Sequence, residues 1–70
     1  MDRQMMSSRD IRSVGYDKNE STLEIELANG VLYRYKMVGE EIYEALVNSN
    51  NSDEYFHEMI EENYPKLKIV

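Results

Sequence analysis

Polar and apolar residues alternate through the first half of the chain. In residues 22–27, three apolar side chains at alternate positions are separated by Glu24 and Glu26. A period of two is typical of a strand that buries one face. Residues 31–37 alternate in the same way, and residues 11–16 form a shorter stretch of this kind. The pattern therefore predicts three antiparallel strands.

The loop between the second and third predicted strands decides which side chains share a face. Ala28-Asn29-Gly30 is a hairpin sequence. If the loop is only Asn29-Gly30, each face mixes charged and apolar residues. If it has three residues, with Gly30 in the left-handed region, Glu24 faces Arg34. Because a shift of one residue moves every side chain to the other face, the separation of apolar from polar residues favours the three-residue loop.

This register divides the side chains of the two strands between two faces. The buried face is predicted to carry Leu23, Ile25, Leu27, Val31, Tyr33, Tyr35 and Met37. The other face is predicted to carry Glu24, Glu26, Leu32, Arg34 and Lys36. We therefore interpret Tyr33 and Tyr35 as core residues rather than as platforms on which single-stranded bases stack.

The second half of the chain has a helical period and predicts two helices, over residues 40–48 and 53–63. In the second helix, carboxylates lie on the solvent side and His57 borders the apolar side. Nothing on a solvent face excludes water or raises a pKa, so we expect no catalysis there. Residues 66–70 are either a short edge strand or a frayed end.

Together these elements predict an α+β domain. A three-stranded antiparallel meander is followed by two helices packed on one face, in the order β-β-β-α-α. Residues 1–6 are predicted to be an N-terminal tail, and residues 7–70 a single domain. The sheet face opposite the helices is then open to solvent or to a partner.

The composition excludes several kinds of site. The 70 residues include no cysteine and one histidine, His57, which excludes disulfides, thiolate metal sites and multi-histidine zinc sites. We expect no cofactor, no metal and no catalytic residue. No apolar run is long enough for a signal peptide or a membrane span, which favours a cytoplasmic location.

Charge is unevenly distributed along the chain, whose net charge is −6. Residues 1–36 hold six basic and six acidic side chains, whereas residues 37–70 hold eight acidic ones and only Lys66 and Lys68 as basic ones. Nucleic acids bind largely through basic groups that neutralise phosphates. The helical half is therefore expected to repel them.

Several segments match, in order and spacing, those of a known small domain. They are Ser7-Ser8-x-x-Ile11, Val14-Gly15-Tyr16-Asp17, Gly30, Tyr33-Arg34-Tyr35, Ile42-Tyr43 with Leu46, Tyr55-Phe56, Ile60 and Tyr64-Pro65. In these segments the chain resembles the KTSC family, a small domain found at the C-terminus of some lysyl-tRNA synthetases and as stand-alone proteins of bacteria and phages. The resemblance covers residues 7–70.

The resemblance implies a domain of unknown function, for which attachment to a synthetase suggests RNA binding. The chain departs from the family pattern in two places. Gly39 stands where a proline often opens the first helix, and Glu54, Glu61 and Glu62 stand where basic residues are frequent. These acidic residues disfavour RNA binding by this member.

We expect a small non-catalytic interaction domain that docks a protein partner, or a second copy, through its open sheet face. An alternative is an RNA- or tRNA-binding module that contacts phosphates through the basic members of the same surface. A further alternative is an acidic decoy that mimics nucleic acid with the carboxylates of the helical half. The candidate binding surface comprises Arg9, Arg12, Leu32, Arg34 and Lys36.

Overall fold

The computed structural model describes residues 2–70 of the chain. These residues form five strands and two helices, joined by turns and loops. The second helix consists of an α-helical turn over Ser52–Tyr55 and a π-helical turn over Phe56–Ile60, where the Glu61 N–H donates to the Phe56 carbonyl at 2.9 Å. No helix among these residues is both long and apolar enough to cross a membrane. The elements are β1 (Asp2–Met5), β2 (Ile11–Asp17), β3 (Thr22–Leu27), β4 (Leu32–Tyr35), α1 (Glu40–Asn48), α2 (Ser52–Tyr55) and β5 (Lys66–Lys68).

The strands form a single antiparallel sheet in the order β1-β2-β3-β4-β5. The α+β class and the central meander agree with the prediction, but the sheet has five strands and not three. β1 lies within the predicted N-terminal tail and pairs with β2, and β5 pairs with β4. Residues 3–5 and 66–68 are all exposed, so neither edge strand has the buried alternate positions by which a strand is recognised in a sequence.

The hairpin between β3 and β4 has the three-residue loop that the sequence favours. Ile25 pairs with Tyr33, and Glu24 pairs with Arg34. Gly30 has a φ of 91°, a left-handed conformation that glycine adopts without the steric cost of a side chain. The separation of polar from apolar residues therefore identified the correct register.

Met37 was predicted on the buried face, and this prediction is wrong. Its side chain is 70% exposed, and its φ is 61°. β4 ends at Tyr35 and the chain turns, so that the Val38 N–H donates to the Ser21 carbonyl at 2.9 Å and the Val38 side chain is buried. Alternation predicts a face only while the strand continues, and here the strand stops before Met37.

Both helices pack on one face of the sheet and enclose the core. Tyr35 is fully buried in this core, and its ring meets Phe56 edge-on with centroids 5.8 Å apart. Tyr33 is half-buried and packs against the core from its border. The buried apolar residues are Ile11, Val14, Leu23, Ile25, Tyr35, Val38, Leu46, Phe56 and Ile60.

Asp53 fastens the second helix to the connection between β1 and β2. Its carboxylate accepts hydrogen bonds from the Ser8 hydroxyl at 2.5 Å and from the N–H groups of Arg9 and Asp10 at 3.1 Å. The Ser8 hydroxyl in turn accepts the Ile11 N–H at 3.1 Å. Burial alone would raise the pKa of Asp53, but these hydrogen bonds outweigh it and lower the pKa. The helix is therefore tied to the sheet by an ionised carboxylate.

Candidate interaction surface

The sheet face opposite the helices, here the open face, carries two rows of neighbouring side chains. The strand register sets both rows, since alternate residues of each strand lie on the same face. The first row, which crosses all five strands, is Arg3, Gly15, Glu24, Arg34 and Leu67. The second row is Met5, Ser13, Glu26 and Leu32.

Glu24 lies at the centre of the first row between two guanidinium groups. Arg34 donates from Nε and Nη2 to Glu24 Oε2, at 3.1 and 2.8 Å, and Arg3 donates from Nη1 to Oε1 at 2.5 Å. Gly15 stands between Arg3 and Glu24 in the row. The two arginines cover the carboxylate, whose side chain is only 10% exposed.

The environment of Glu24 holds its carboxyl in the ionised form. Burial by itself raises the pKa of Glu24, but the hydrogen bonds and positive charges of Arg34 and Arg3 outweigh burial and lower the pKa. An ionised carboxylate with two permanent cations as neighbours is a poor proton donor or acceptor at neutral pH. The row is therefore suited to positioning charges rather than to proton transfer.

The second row continues the same hydrogen-bond network. Ser13 accepts hydrogen bonds from Arg3 Nε and Nη2 at 3.3 and 3.1 Å, and its hydroxyl donates to Glu26 Oε1 at 2.9 Å. Glu26 Oε2 also lies 3.7 Å from Nη1 of Arg12, and Nη2 of Arg12 donates to the Ala28 carbonyl at 2.9 Å. Most charges on this face thus have a partner on the face itself.

Four of the five residues of the predicted surface lie on or beside the open face. Leu32 and Arg34 belong to its rows, Arg12 reaches its border through Glu26, and Lys36 follows β4. Lys36 and Arg34 line a shallow cavity of about 200 Å³ together with Asp17, Glu20 and Thr22.

Arg9 is separated from the other four residues. It lies in the connection between β1 and β2 and lines a cavity of about 420 Å³ with Asn51, Asp53 and Glu54 at the start of the second helix. The structure therefore does not bring the four basic residues of the predicted surface together. Two of them, Arg12 and Arg34, face carboxylates within 4 Å.

Five members of the open face were not predicted: Ser13 and Gly15 on β2, and three residues of the edge strands. Arg3 completes the charge row, while Met5 is 73% exposed at one border of the face and Leu67 is 56% exposed at the other. The only sequence signal is the short alternation of these residues with Gln4 and with the lysines of β5. Pairing with β2 and β4 is what places them on this face.

A second polar cluster joins the second helix to the start of β2. The His57 ring contacts Glu61 through Nδ1 at 3.0 Å and Asp10 through Nε2 at 3.2 Å. These two contacts raise the pKa of His57 above its ordinary value, and the hydrogen bond to Glu61 makes the larger contribution. The pKa of a partly exposed side chain on this helix, His57, is therefore raised, whereas the sequence led us to expect no raised pKa there. Because both ring nitrogens are engaged, neither is free for a metal or a substrate.

The fold and the order of these residues can now be compared with known proteins. The KTSC domain family model matches residues 7–64. The chain belongs to the KTSC domain family. A KTSC domain protein from Yersinia pestis has the same fold in its crystal structure, with a TM-score of 0.92, 30% sequence identity, and coverage of 99% of this chain and 97% of that one. An uncharacterized protein from Stutzerimonas stutzeri (strain A1501) is 36% identical over 59 residues, which are 84% of this chain and 83% of that protein.

The residues matched to the family model make up only part of the open face of this KTSC domain. Residues 7–64 include β2, β3, β4 and both helices, and therefore Glu24 and Arg34. The edge strands β1 and β5, which supply Arg3, Met5 and Leu67, lie outside that range. The centre of the charge row thus lies in the segment matched to the family, and its borders lie in the flanking strands.

Proposed function

We propose that this KTSC domain is a non-catalytic interaction module that binds a protein partner through its open face. The observation that carries the proposal is the difference between the two sides of the sheet. The helices cover one side, whereas no helix or strand among residues 2–70 covers the rows of Arg3 and Met5. A sheet face with an ordered set of side chains and no cover is a natural docking surface.

The composition of the open face suits a protein partner. Arginine and methionine are enriched in protein interfaces, and a charge that is buried without a partner is costly. Here Glu24 is already paired with two arginines, so covering the row leaves no isolated carboxylate. Met5 and Leu67 offer exposed apolar area at opposite borders. Pre-ordered ion pairs also reduce the entropy that a side chain loses on binding.

The same pairing makes RNA a less suitable partner. Phosphate binding depends on cations that are free to neutralise it, whereas Arg12 and Arg34 already face Glu26 and Glu24. Residues 37–65 contribute no lysine or arginine. If RNA were the ligand, capture of partners would disappear on treatment with nuclease.

The test compares two variants that introduce the same charge at exposed methionines. Met5→Glu alters the open face, and Met59→Glu alters the second helix, where Met59 is 46% exposed. Each full-length protein is used as bait in a lysate of the native host, with and without nuclease. We expect a protein that is retained after nuclease, is lost with Met5→Glu and is kept with Met59→Glu.

Three results would contradict the proposal. Capture that disappears with nuclease would show that nucleic acid is the ligand. Loss of the partner with Met59→Glu alone would place the interface on the helices. Failure to retain any protein would leave the open face without a partner. Thermal melting of both variants shows beforehand that each is folded.

A further inference from the structure

The outer edge of β5 presents main-chain groups that no other strand contacts. β5 is the last strand of the sheet and pairs only with β4 among the described residues. In an antiparallel pair, alternate residues hydrogen bond to the neighbouring strand and the residues between them point outward. The Lys36 N–H donates to the Pro65 carbonyl and the Ile69 N–H to the Leu32 carbonyl, at 2.9 and 2.8 Å. This alternation directs the main-chain groups of residues 66 and 68 away from β4.

The chain pairs with β4 and its neighbours over more than the three residues of β5, while the outward main-chain groups are those of residues 66 and 68. Hydrogen bonds to β4 and its neighbours continue from Pro65 to Val70, whose carbonyl accepts the Leu32 N–H at 3.2 Å. Six residues at about 3.3 Å each span roughly 20 Å. This length is that of an ordinary strand, so the edge is long enough to pair with another extended segment.

The side chains along this edge alternate between basic and apolar. Lys66 and Lys68 are exposed on the helix side of the sheet, and Leu67 is exposed on the open face. The two lysines have no ion-pair partner among the side chains of residues 3–70, and Lys66 Nζ lies 5.0 Å from the centre of the Tyr33 ring. They are also the only basic residues that follow Lys36. An otherwise acidic protein thus has two unneutralised cations along one strand edge.

We propose that this edge binds an extended acidic segment of a partner protein, which adds to the sheet as a sixth strand. The segment's carboxylates lie beside Lys66 and Lys68 on the helix side, and its apolar side chains lie beside Leu67. Main-chain hydrogen bonds supply affinity in strand addition, and the alternating side chains supply specificity. The edge shares Leu67 with the open face, but Lys66, Lys68 and the outward main-chain groups lie outside the two rows, so Lys68→Glu and Met5→Glu test the two proposals separately.

A second copy of the chain is a poorer occupant of the same edge. Pairing β5 with the β5 of another molecule in antiparallel fashion sets lysines opposite lysines, and like charges in facing positions destabilise a sheet. Lysine on an edge strand is indeed a common means of preventing such pairing. A strand with acidic residues at alternate positions removes the repulsion and gains an attraction.

The experiment measures binding of fluorescent peptides to the full chain by anisotropy. The test peptide alternates Glu and Val over eight residues, and the first control has the same composition with the four Glu and four Val in separate blocks. The second control is a pair of peptides with the test sequence, one N-methylated at the odd residues and the other at the even residues. Each lacks the N–H groups along one edge of the strand and keeps every charge. We expect the alternating peptide to bind and both controls to bind at least about tenfold more weakly.

Two charge reversals test where the peptide binds. Lys68→Glu changes the edge, and Lys18→Glu changes an exposed lysine in the β2–β3 turn by the same amount of charge. We expect Lys68→Glu to weaken binding by about three- to tenfold and Lys18→Glu to leave it nearly unchanged. The proposal is overturned if the alternating peptide does not bind, if N-methylation has no effect, if both reversals act equally, or if the edge pairs with a second copy instead.

Discussion

At the scale of single residues, two tyrosines differ in what their hydroxyl groups contact. The Tyr16 hydroxyl donates to the Val38 carbonyl at 2.5 Å, and its ring stacks on Tyr43 with centroids 5.2 Å apart. The Tyr35 hydroxyl is buried and has no hydrogen-bond partner among residues 2–70. Burial, followed by the charge of Glu61, raises the pKa of Tyr35 to about 12. The Tyr35 ring therefore stabilises the core, while its hydroxyl opposes folding.

Removal of these two hydroxyls is expected to change stability in opposite directions. An unsatisfied buried polar group costs about 1–3 kcal/mol, and a satisfied hydrogen bond contributes about 1 kcal/mol. We predict that Tyr35→Phe raises the free energy of unfolding by about 1 kcal/mol, and that Tyr16→Phe lowers it by about 1 kcal/mol. Urea denaturation measures both. A loss of stability in Tyr35→Phe equal to that in Tyr16→Phe would contradict the assignment.

At the scale of elements, the second helix is held to the sheet by polar contacts at its outer side. His57 lies between Glu61 on its own helix and Asp10 at the start of β2, and its side chain is 44% exposed. Asp53, Glu54 and Glu58 are the other acidic groups on this helix within four residues of His57 in sequence. The Asp10 contact links two elements, whereas the Glu61 contact is one turn along the helix. The charge of His57 therefore influences how firmly the helix is attached.

This contact gives the domain a pH-dependent stability with a defined sign. The folded-state pKa of His57 is raised above the unfolded value of about 6.5. Its contribution is therefore fully present below about pH 6.5 and is lost as the pH rises through the folded-state pKa. We predict that His57→Gln is less stable than the native chain by about 0.5 kcal/mol near pH 6, because exposed ion pairs contribute little.

The measurement is urea denaturation of both proteins near pH 6 and near pH 9, together with NMR titration of the single imidazole. The difference in stability should shrink at the higher pH. Asp10→Asn should bring the imidazole pKa closer to its ordinary value, and Glu54→Gln, an exposed residue of the same helix, is the control. An imidazole that titrates at its ordinary value in the native chain would show that the contacts do not form in solution.

The sequence predicts the central strands well, because a strand with one buried face shows a clear alternation of apolar and polar residues. Leu23 and Ile25 point to one face and Glu24 to the other, and this contrast alone selects the hairpin register. The edge strands lack such a contrast, because residues 3–5 and 66–68 are exposed whichever face of the sheet they lie on. The exposure of Met37 depends on the end of β4, which the alternation does not show. The π-helical turn likewise leaves no pattern in the sequence.

The candidate surface is predicted only in part, for a related reason. The pairing of Glu24 with Arg34 follows from the register and is present in the structure. Arg3 joins the same carboxylate only because β1 pairs with β2. Arg9 is close to Arg12 in sequence, but the hydrogen bond from its N–H to Asp53 holds its backbone at the second helix. Proximity along the chain therefore did not identify which basic residues share a surface.

At the scale of the whole molecule, charge is segregated between surfaces. The helices carry the excess of carboxylates, most charges of the open face are paired with one another, and the β5 edge carries two lysines without an ion-pair partner in the described part of the chain. Partners with different chemistry are accordingly suited to different sides of the domain. The proposed docking face is the one whose charges are internally paired and whose borders are apolar.

The central claim is that the open face is the binding surface, and methionine methyl NMR tests it most directly. Met5 reports on the open face and Met59 on the second helix, and both are exposed enough for a partner to touch. The full chain, labelled at methionine methyl groups, is titrated with the protein that it captures from lysate. We predict that the Met5 signal shifts or broadens as the complex forms and that the Met59 signal does not. A response at Met59 with no change at Met5 would contradict the account.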